Sequence, residues 1–366
     1  MDGGKDKIFR LAELFSGPGG LALGATQASA GPYSITSVWA NDIDKDTCVT
    51  YRNNLHKDNL GKVEHKPIQD VEFDKIPKFD ALAFGFPCND FSLVGEQKGF
   101  DGKYGPLYSY GVKAINAQKP DWFIAENVTG LRSANNGGAF RRILDDLENA
   151  GDGYDVVPHL YKFEEYGVPQ TRHRIVIVGT KKSLGLNFKV PSPTTEGSPL
   201  SAKRAIENPA IPANAPNHEK KKQSIRVAER LAHIPPGGNA WSEEIPAQLR
   251  LNVKGARLSN IYKRLDPDLP AYTITGSGGG GTHVYHWDEP RALTNRERAR
   301  LQTFPDDFVF CGTNESVRKQ IGMAVPPLAA RQIIEAVLKT FAGIEYEYVP
   351  QNLELKKQNS IPLVLT

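Results

Sequence analysis

The stretch that decides the fold class is Ile8-Phe9-Arg10-Leu11-Ala12-Glu13-Leu14-Phe15-Ser16-Gly17-Pro18-Gly19-Gly20, close to the start of the chain. Residues 8–15 are mainly apolar and predict a strand, whereas 16–20 are rich in glycine and predict a tight turn. Residues 21–30 then predict a helix. A strand that leads through a glycine turn into a helix is typical of a parallel sheet with helices packed on it.

The same alternation of strands and helices continues through the first half of the chain. Further strands are predicted at 35–40, 81–85, 122–125 and 174–179, and further helices at 44–54, 107–118 and 140–149. This order predicts a parallel sheet that is covered by helices on both faces. Because ligands bind at the carboxyl ends of the strands in such sheets, we expect functional turns after Phe15, Phe84 and Ala125.

The sequence changes character near Lys182, and from there to about Pro290 it is rich in Pro, Gly, Asn and charged residues. A chain of 366 residues suits two domains. Helices are predicted in the second half at 223–233, 292–304 and 328–341. We predict a catalytic domain over 1–184, a smaller irregular domain over 185–315, a return to the first domain over 316–342, and leave 343–366 unassigned.

Composition is that of a soluble globular protein, with 24% charged and 39% hydrophobic residues. No apolar run approaches the roughly 20 residues of a membrane span, and residues 1–10 carry no apolar signal core, so we expect a cytoplasmic location. The three cysteines, Cys48, Cys88 and Cys311, are too scattered for a disulfide framework and have no CxxC spacing. Each is therefore a small buried residue or a reactive thiol, and no metal site is expected.

The net charge of +3 is unevenly distributed. Residues 203–264 contain twelve Lys and Arg against five Glu, so the remainder of the chain is slightly acidic. A basic middle segment fits contact with a DNA backbone, although a solvated charged surface would give the same count.

Two features point to a cofactor that contains adenosine. The turn 16–20 lets the backbone approach a ligand closely, and Asp42 ends the second strand, where an acid can accept hydrogen bonds from a ribose. A glycine turn alone is weak evidence, because tight turns need glycine in any case. The turn has neither the full GxGxxG spacing nor a Walker lysine, so NAD and ATP are less favoured.

Three other strand ends carry reactive groups. Gly85-Phe86-Pro87-Cys88 places a thiol at a cleft edge, where a lowered pKa would make it a strong nucleophile. Glu126 ends the next strand, although Glu126-Asn127 could equally be an ordinary polar strand end. In Gln170-Thr171-Arg172-His173-Arg174, alternation puts both arginines on one face, where they suit phosphate or base-oxygen contacts.

Taken in order, these segments resemble the motifs of the cytosine-C5 DNA methyltransferase family of the bacterial restriction-modification type. The cofactor turn, Pro87-Cys88, Glu126-Asn127-Val128 and the arginine segment are followed by Arg291-Ala292-Leu293-Thr294-Asn295-Arg296-Glu297 and by Gln320-Ile321-Gly322-Met323-Ala324-Val325-Pro326-Pro327. The resemblance covers residues 10–341. It implies a Rossmann-like S-adenosylmethionine-dependent methyltransferase domain with a smaller irregular target-recognition domain.

The resemblance also implies a site and a mechanism. A flipped-out cytosine of duplex DNA would receive the Cys88 thiolate at carbon 6, Glu126 would bind its N3 and amine, and Arg174, supported by Arg172, would hold its carbonyl. The implied catalytic residues are Cys88, Glu126, Arg172 and Arg174. The implied S-adenosylmethionine-binding residues are Phe15, Gly17, Gly19, Leu21, Asp42, Ile43, Ile68, Pro87, Leu107, Ala324 and Val325. Suggested DNA contacts are Arg250, Lys254, Arg257, Arg264, Thr275 and Gly278.

The resemblance also bears on the partners of the protein, and three positions differ from the usual family motifs. We expect a monomer with no membrane partner, a mobile loop at 97–105, and a cognate restriction endonuclease that acts on the same DNA site. Asn89 stands where many members have Gln, Pro67 where an Asp often contacts adenine (with Asp70 as a substitute), and Met323 where the last motif usually has Asn.

Three rival interpretations stay open. A small branch of the family methylates transfer RNA. A DNA-binding relative without catalysis would have no chemical reason to keep Cys88, Glu126 and both arginines. A dinucleotide-dependent oxidoreductase would leave the arginine segment unexplained.

Overall fold

The computed structural model describes residues 7–57, 61–86, 107–133, 137–252, 258–276 and 280–353. Several predicted site residues lie outside this described part of the chain: Pro87, Cys88, Asn89, Lys254, Arg257, Gly278 and the loop 97–105.

The described chain is built around an eight-stranded sheet. Its strands are β1 (Lys7–Leu14), β2 (Ser29–Ala30), β3 (Tyr33–Asp42), β4 (Lys62–His65), β5 (Ala81–Gly85), β6 (Trp122–Val128), β7 (Tyr154–Lys162) and β8 (His173–Lys181). Their order is β2-β3-β1-β5-β6-β8-β7, and β4 also pairs with β3. The chain thus forms strands at all the places where the sequence predicts them in its first half.

The direction of the strands differs from the expected parallel sheet at one end. Strands β4, β3, β1, β5 and β6 are parallel, whereas β8 runs antiparallel to both β6 and β7. Strand β7 has no counterpart among the predictions because Pro158 interrupts its sequence signal. Proline removes a ladder donor, and it is tolerated here because β7 is an edge strand.

The helices are α1 (Gly20–Thr26), α2 (Lys45–Leu55), α3 (Tyr108–Gln118), α4 (Gly138–Glu148), α5 (Ala202–Glu207), α6 (Ile225–Ala232), α7 (Asn295–Leu301), α8 (Asn314–Met323) and α9 (Pro327–Ala342). Apolar residues of α1, α2 and α9 share one core cluster with the sheet, and those of α3 and α4 share another. The sheet is therefore covered on both faces, as the sequence predicts.

Helices α1 and α9 approach each other so closely that side chains are excluded between them. A Cβ atom at Gly20 would overlap the carbonyl oxygen of Val325, and one at Gly24 would overlap that of Pro327. This contact joins the cofactor turn near the start of the chain to the segment around α9.

The middle of the chain forms a second region with little regular structure. Two further core clusters lie there, one around α5, α7 and α8 and one around α6. Phe188 and Val190, which follow the predicted boundary at 184, pack instead in the core of the first region. The domain limits predicted from the sequence otherwise stay predictions.

The first part of the tail packs onto the catalytic sheet. Strand β10 (Tyr348–Val349) pairs antiparallel with β9 (Val190–Pro191), and Leu353 is buried in the second core. The Asn352 side chain accepts a hydrogen bond from the Leu160 N–H (2.8 Å) and donates one to the Leu160 carbonyl (3.1 Å). Residues 343–353 therefore belong structurally to the first region.

One long apolar segment, Asn314–Ala342, satisfies a length and hydropathy test for a membrane span. Two thirds of its apolar window (67%) is buried inside the protein. The segment is divided between α8 and α9, and both helices pack in core clusters. Its apolar character is accounted for by this packing.

Candidate active site

The candidate site lies at one edge of the sheet, where the carboxyl ends of β1, β3, β5 and β6 meet the amino end of β8. The antiparallel direction of β8 produces this arrangement, because it carries the start of that strand to the edge where its parallel neighbours end. A fully parallel sheet would have put the arginine segment at the opposite edge.

Glu126 and Arg174 form the central ion pair of this edge. Val128 of β6 pairs with Arg174 of β8, so Glu126 and Arg174 are diagonal neighbours on one face of the sheet. The Arg174 Nε lies 2.9 Å from the Glu126 Oε1, and both side chains are 14% exposed. A Cβ at Gly85 would lie 3.2 Å from the Glu126 Oε2, so the glycine leaves room for the carboxylate.

Arg172 lies beneath this pair and is almost fully buried. Its Nη1 donates to the Ile274 carbonyl at 3.2 Å, whereas its Nε is enclosed without a partner among the described residues. Burial, and then the positive charge of Arg174, lower the pKa of Arg172. The guanidinium therefore has unused hydrogen-bonding capacity at the site.

Two buried amide side chains hold the site together, and the sequence analysis gave neither a role. Asn127 donates to the Phe86 carbonyl at 3.2 Å and so fixes the backbone two residues before Cys88. Gln170 accepts from the Ile274 N–H (2.7 Å) and donates to the Leu301 carbonyl (3.2 Å). Both belong to sequence segments quoted above, but an amide side chain is common in proteins and its residue type does not indicate such a role.

The glycine-rich turn after β1 has an unusual backbone. Phe15 has φ +52°, which is rare for a bulky residue and costs on the order of 1–3 kcal/mol. Gly19 has φ +93°, and a Cβ there would overlap the Leu55 side chain. Strain of this kind persists where the surrounding structure enforces it, as it does at functional turns.

Asp42 ties the turn to the end of β3. Its Oδ2 accepts from the Gly17 N–H and its Oδ1 from the Asp44 N–H, both at 2.9 Å. Burial raises the pKa of Asp42, while these backbone donors counteract the increase. Ile43 beside it is 69% exposed, which leaves a large apolar side chain open to a flat ligand.

The remaining predicted cofactor residues that the structure describes lie around the same edge. Leu21, Ile68, Leu107 and Ala324 are buried, Val325 is half-buried, and the Val325 backbone meets Gly20. Asp70 and Met323 are exposed. An acid between two backbone donors, an exposed apolar residue and a glycine turn together fit a cofactor with a ribose and an aromatic base.

The suggested DNA-contacting residues differ in their exposure to solvent. Arg264 is buried, and its guanidinium donates to the carbonyls of His286 (2.7 Å), Leu231 (2.9 Å) and Ile234 (2.8 Å). The suggestion that Arg264 contacts DNA is therefore corrected: its charge is committed to holding the smaller domain together. Arg250 and Thr275 are exposed, and the Arg250 Nε donates to the Ile245 carbonyl.

The two cysteines that the structure describes differ from a nucleophile. Cys48 is buried on α2, and burial raises the pKa of its thiol to about 12. The Cys311 sulfur accepts a hydrogen bond from Asn53 at 3.4 Å. Both fit the structural role that the sequence analysis gave to an average cysteine.

Comparison with known proteins assigns the chain to one class. Residues 9–339 match the sequence model of the C-5 cytosine-specific DNA methylase family. The chain belongs to this family, and it is an S-adenosylmethionine-dependent DNA (cytosine-5-)-methyltransferase.

Individual relatives narrow the class. The chain is 58% identical over 349 residues to the Type II methyltransferase M.BbvI of Brevibacillus brevis, covering 92% of this chain and 93% of that protein. It is 41% identical over 360 residues to M.NgoFVII of Neisseria gonorrhoeae, with 96% and 92% covered. The protein is thus of the bacterial restriction-modification type.

Solved structures share the fold. A putative DNA modification methyltransferase encoded within a prophage of E. coli superposes with a TM-score of 0.70 at 23% identity, covering 91% of this chain and 99% of that chain. The Dnmt2 methyltransferase of S. pombe superposes with a TM-score of 0.54 at 15% identity, covering 92% and 100%. Both confirm the predicted Rossmann-like methyltransferase fold.

Proposed function

We propose that the protein methylates a cytosine within one specific sequence of duplex DNA, and that Cys88 is its covalent nucleophile. The observation that carries this proposal is the Glu126–Arg174 pair, which lies beside the end of β5, the strand that leads to Cys88. A carboxylate and a guanidinium on one face can bind the N3, amine and carbonyl edge of a cytosine. They would therefore hold the base where a thiolate can reach it.

The proposed chemistry addresses the weakness of carbon 5 as a nucleophile. The Cys88 sulfur forms a bond to carbon 6, and electron density shifts to carbon 5, which accepts the methyl group. A proton held between Glu126 and N3 balances the negative charge that the ring gains as the sulfur adds, and Arg174 holds the carbonyl. Loss of the carbon-5 proton then breaks the carbon–sulfur bond and frees the thiol.

The cofactor would be held by the turn after β1 and by its neighbours. Asp42 would bind the ribose, Phe15 and Ile43 would contact the adenine, and the backbone at Gly17 and Gly19 would contact the methionine part. Leu21, Ile68, Pro87, Leu107, Ala324 and Val325 would complete the lining. When bound, S-adenosylmethionine supplies a methyl group that is activated by the positive charge on its sulfur.

Partners and location follow from the same class. The Type II names of the relatives support a cognate restriction endonuclease that cuts the unmodified site. We propose that the protein acts as a monomer in the cytoplasm, with Arg172 supporting the pocket, and with Arg250, Lys254, Arg257, Thr275 and Gly278 near the DNA.

The reaction and its target are tested together by bisulfite sequencing of plasmid DNA from a host that has no cytosine methylation of its own. Protected cytosines within one short recurring sequence are expected. If no cytosine is protected while transfer RNA incubated with the purified protein gains methyl groups, the substrate proposal is wrong and the RNA alternative replaces it.

The nucleophile is tested with a duplex that carries 5-fluorocytosine at the target. In the presence of S-adenosylmethionine, carbon 5 would carry both a methyl group and a fluorine, and fluorine cannot leave as a cation as hydrogen does. The protein–DNA adduct should therefore persist and migrate as one band on a denaturing gel. Cys88→Ala should give no adduct and lower methylation by about a thousandfold or more.

Cys311→Ala is the matched control, since it removes a thiol that accepts a hydrogen bond from Asn53 and has no proposed role in the reaction, and it should form the adduct normally. An adduct in Cys88→Ala, or loss of DNA binding equal to the loss of methylation, would contradict the assignment of Cys88.

A further inference from the structure

Two arginines that no motif accounts for lie in the core of the smaller region. Arg298, on α7, is only 3% exposed, and the side chain of Arg318, on α8, is 16% exposed. The helices are linked by a hydrogen bond from the Asn295 Nδ2 to the Asn314 carbonyl at 3.1 Å. After burial itself, the charge of Arg318 is the strongest influence that lowers the pKa of Arg298, to about 10.

Neither arginine is paired with a buried acid among the described residues. The Arg298 guanidinium donates no hydrogen bond there, and the Arg318 Nε is enclosed without a partner. The nearest carboxylate to Arg318 is that of Glu315, whose Oε1 is 3.6 Å from Nη2 and whose side chain is 85% exposed. Glu297, next to Arg298 in sequence, is already bound by Arg291 at 2.7 and 2.8 Å.

Two other arginines on α7 have the hydrogen-bond acceptors that Arg298 lacks within the described part of the chain. Arg296 donates to the carbonyls of Pro216 and Pro305, at 2.9 and 2.7 Å. Arg300 pairs with Asp306, its Nε 2.8 Å from Oδ1. A buried guanidinium without an acceptor is costly, and a second positive charge nearby increases the cost. The pair therefore indicates a place for an anion.

His283 adds a third polar group to the cluster. Its Nδ1 is enclosed without a partner among the described residues. Burial, and after it the charges of Arg298, Arg318 and Lys221, lower the pKa of His283 to about 4. The imidazole is neutral at pH 7, so it can donate one hydrogen bond without adding to the positive charge.

The cluster lies next to the segment that the sequence suggests for DNA contact. A Cβ at Gly276 would lie 2.8 Å from the carbonyl oxygen of Lys319, the neighbour of Arg318, and one at Gly322 would overlap the Gly276 backbone. The same segment touches the arginine motif, because the Thr273 hydroxyl donates to the Thr171 carbonyl at 2.6 Å. The cluster is thus adjacent to the proposed DNA face.

We propose that Arg298, Arg318 and His283 form a binding site for a phosphate group, which the backbone of the bound DNA supplies. Two guanidinium groups and one neutral imidazole match the oxygens of a phosphate in charge and in hydrogen-bonding capacity. A backbone phosphate carries no sequence information, so this site positions the duplex without choosing the target. The proposal rests on the DNA activity of the family and is independent of Cys88.

The first test is duplex binding over a series of salt concentrations. Arg298→Met keeps most of the side-chain volume and removes the charge. It should weaken binding to target and unrelated duplexes by the same factor, and reduce the slope of log affinity against log salt by about 0.9. Arg318→Gln should act in the same direction. Lys182→Met is the matched control and should keep the wild-type slope, because it removes an exposed charge just after β8, at the sheet edge opposite the candidate site.

The second test distinguishes the phosphate of DNA from free phosphate. Inorganic phosphate, compared with chloride at equal ionic strength, should raise the melting temperature of the wild-type protein but not that of Arg298→Met, and should compete with DNA. Stabilisation by phosphate without competition would overturn the assignment to DNA. A wild-type salt slope together with a wild-type phosphate response in both arginine variants would overturn the site. Loss of methylation with an unchanged slope would concern Cys88 chemistry instead.

Discussion

At the scale of single residues, the most unusual group outside the catalytic edge is Glu13, a buried carboxyl in the middle of the parallel sheet. It is 3% exposed and lies near the Tyr51 hydroxyl, which is 2.9 Å from Ser37. Ser37 in turn is 2.9 Å from His56. Burial, with a smaller contribution from the charge of Asp42 and against the hydrogen bond from Tyr51, raises the pKa of Glu13 from 4.5 to about 8.

This pKa predicts a dependence of stability on pH. Between pH 4.5 and 8 the folded protein holds a proton on Glu13 that the unfolded chain releases, so stability falls as pH rises. The loss is at most about 1.4 kcal/mol per pH unit. Glu13→Gln, a neutral isostere, should remove this part of the dependence in melting curves measured from pH 5 to 9.

The exposed Glu243→Gln serves as the control and should melt like the wild-type protein throughout. Parallel pH profiles for the wild-type protein and Glu13→Gln would contradict a protonated Glu13.

Candidate site residues could be chosen from the sequence by residue type and position, but the contacts that each side chain makes could not be predicted. The sequence identified Glu126, Arg174 and Asp42 because strand ends and charged types are visible in it. It could not show that Arg264 is consumed by backbone carbonyls, since that depends on how an irregular region folds back on itself. Asn127 and Gln170 were overlooked for the same reason.

At the scale of secondary-structure elements, α7 depends on a capping box. The Thr294 hydroxyl accepts from the Glu297 N–H at 3.1 Å, and the Glu297 carboxylate accepts from the Thr294 N–H at 2.7 Å. Arg291 clamps the same carboxylate. The buried Glu297 carboxylate therefore caps the start of α7 and also pairs with an arginine.

Substitutions in this capping box should lower the free energy of unfolding. Thr294→Ala should lower the free energy of unfolding by about 1 kcal/mol. Glu297→Gln should lower it by about 1–3 kcal/mol, because it removes one charged partner of Arg291, which keeps its ion pair with Glu289. Denaturant titrations measure both changes. Thr294→Ser keeps the hydroxyl and is expected to keep most of the stability; an equal loss in Thr294→Ser and Thr294→Ala would show that the hydroxyl is not the source.

Elements with a clear periodic pattern were predicted from sequence, and those without it were not. Strand β5 occurs at 81–85 as predicted, whereas β4 and β7 were missed, one because it is short and the other because of Pro158. The direction of β8 could not be read from sequence, because apolar strands of either direction look alike. That direction nonetheless decides where Arg174 lies.

At the scale of the whole molecule, Gln170 joins three distant parts of the chain. Its amide contacts the segment that contains Ile274, the end of α7 at Leu301, and Gln302, whose Oε1 is 3.0 Å away. Gln302 then donates to the Ile321 carbonyl of α8 at 2.6 Å. This buried amide thus helps to anchor the smaller region to the catalytic edge, beside the Thr273–Thr171 and Arg172–Ile274 hydrogen bonds.

Gln170→Leu should loosen this anchor while it leaves the cofactor turn untouched. We expect weaker DNA binding and a raised KM for DNA, with S-adenosylmethionine affinity within a factor of two of wild type. Leaving the Ile274 N–H unpaired should cost about 1–3 kcal/mol. Isothermal titration and steady-state kinetics measure these effects.

Gln332→Leu is the comparison variant, since Gln332 bonds to the Tyr166 carbonyl within the catalytic region. It should lower stability without changing DNA affinity. A fall in cofactor affinity equal to the fall in DNA affinity in Gln170→Leu would contradict the anchoring role.

The docking of Asn352 on β7 has a consequence for contacts between molecules. Strand β7 ends the sheet, and an open edge is a template on which a strand of another molecule can add. The Asn352 amide occupies both the donor and the acceptor of Leu160 that point outward from this edge. Another strand cannot pair with Leu160 while Asn352 is bound there, so Asn352 opposes edge-to-edge stacking and fibril growth.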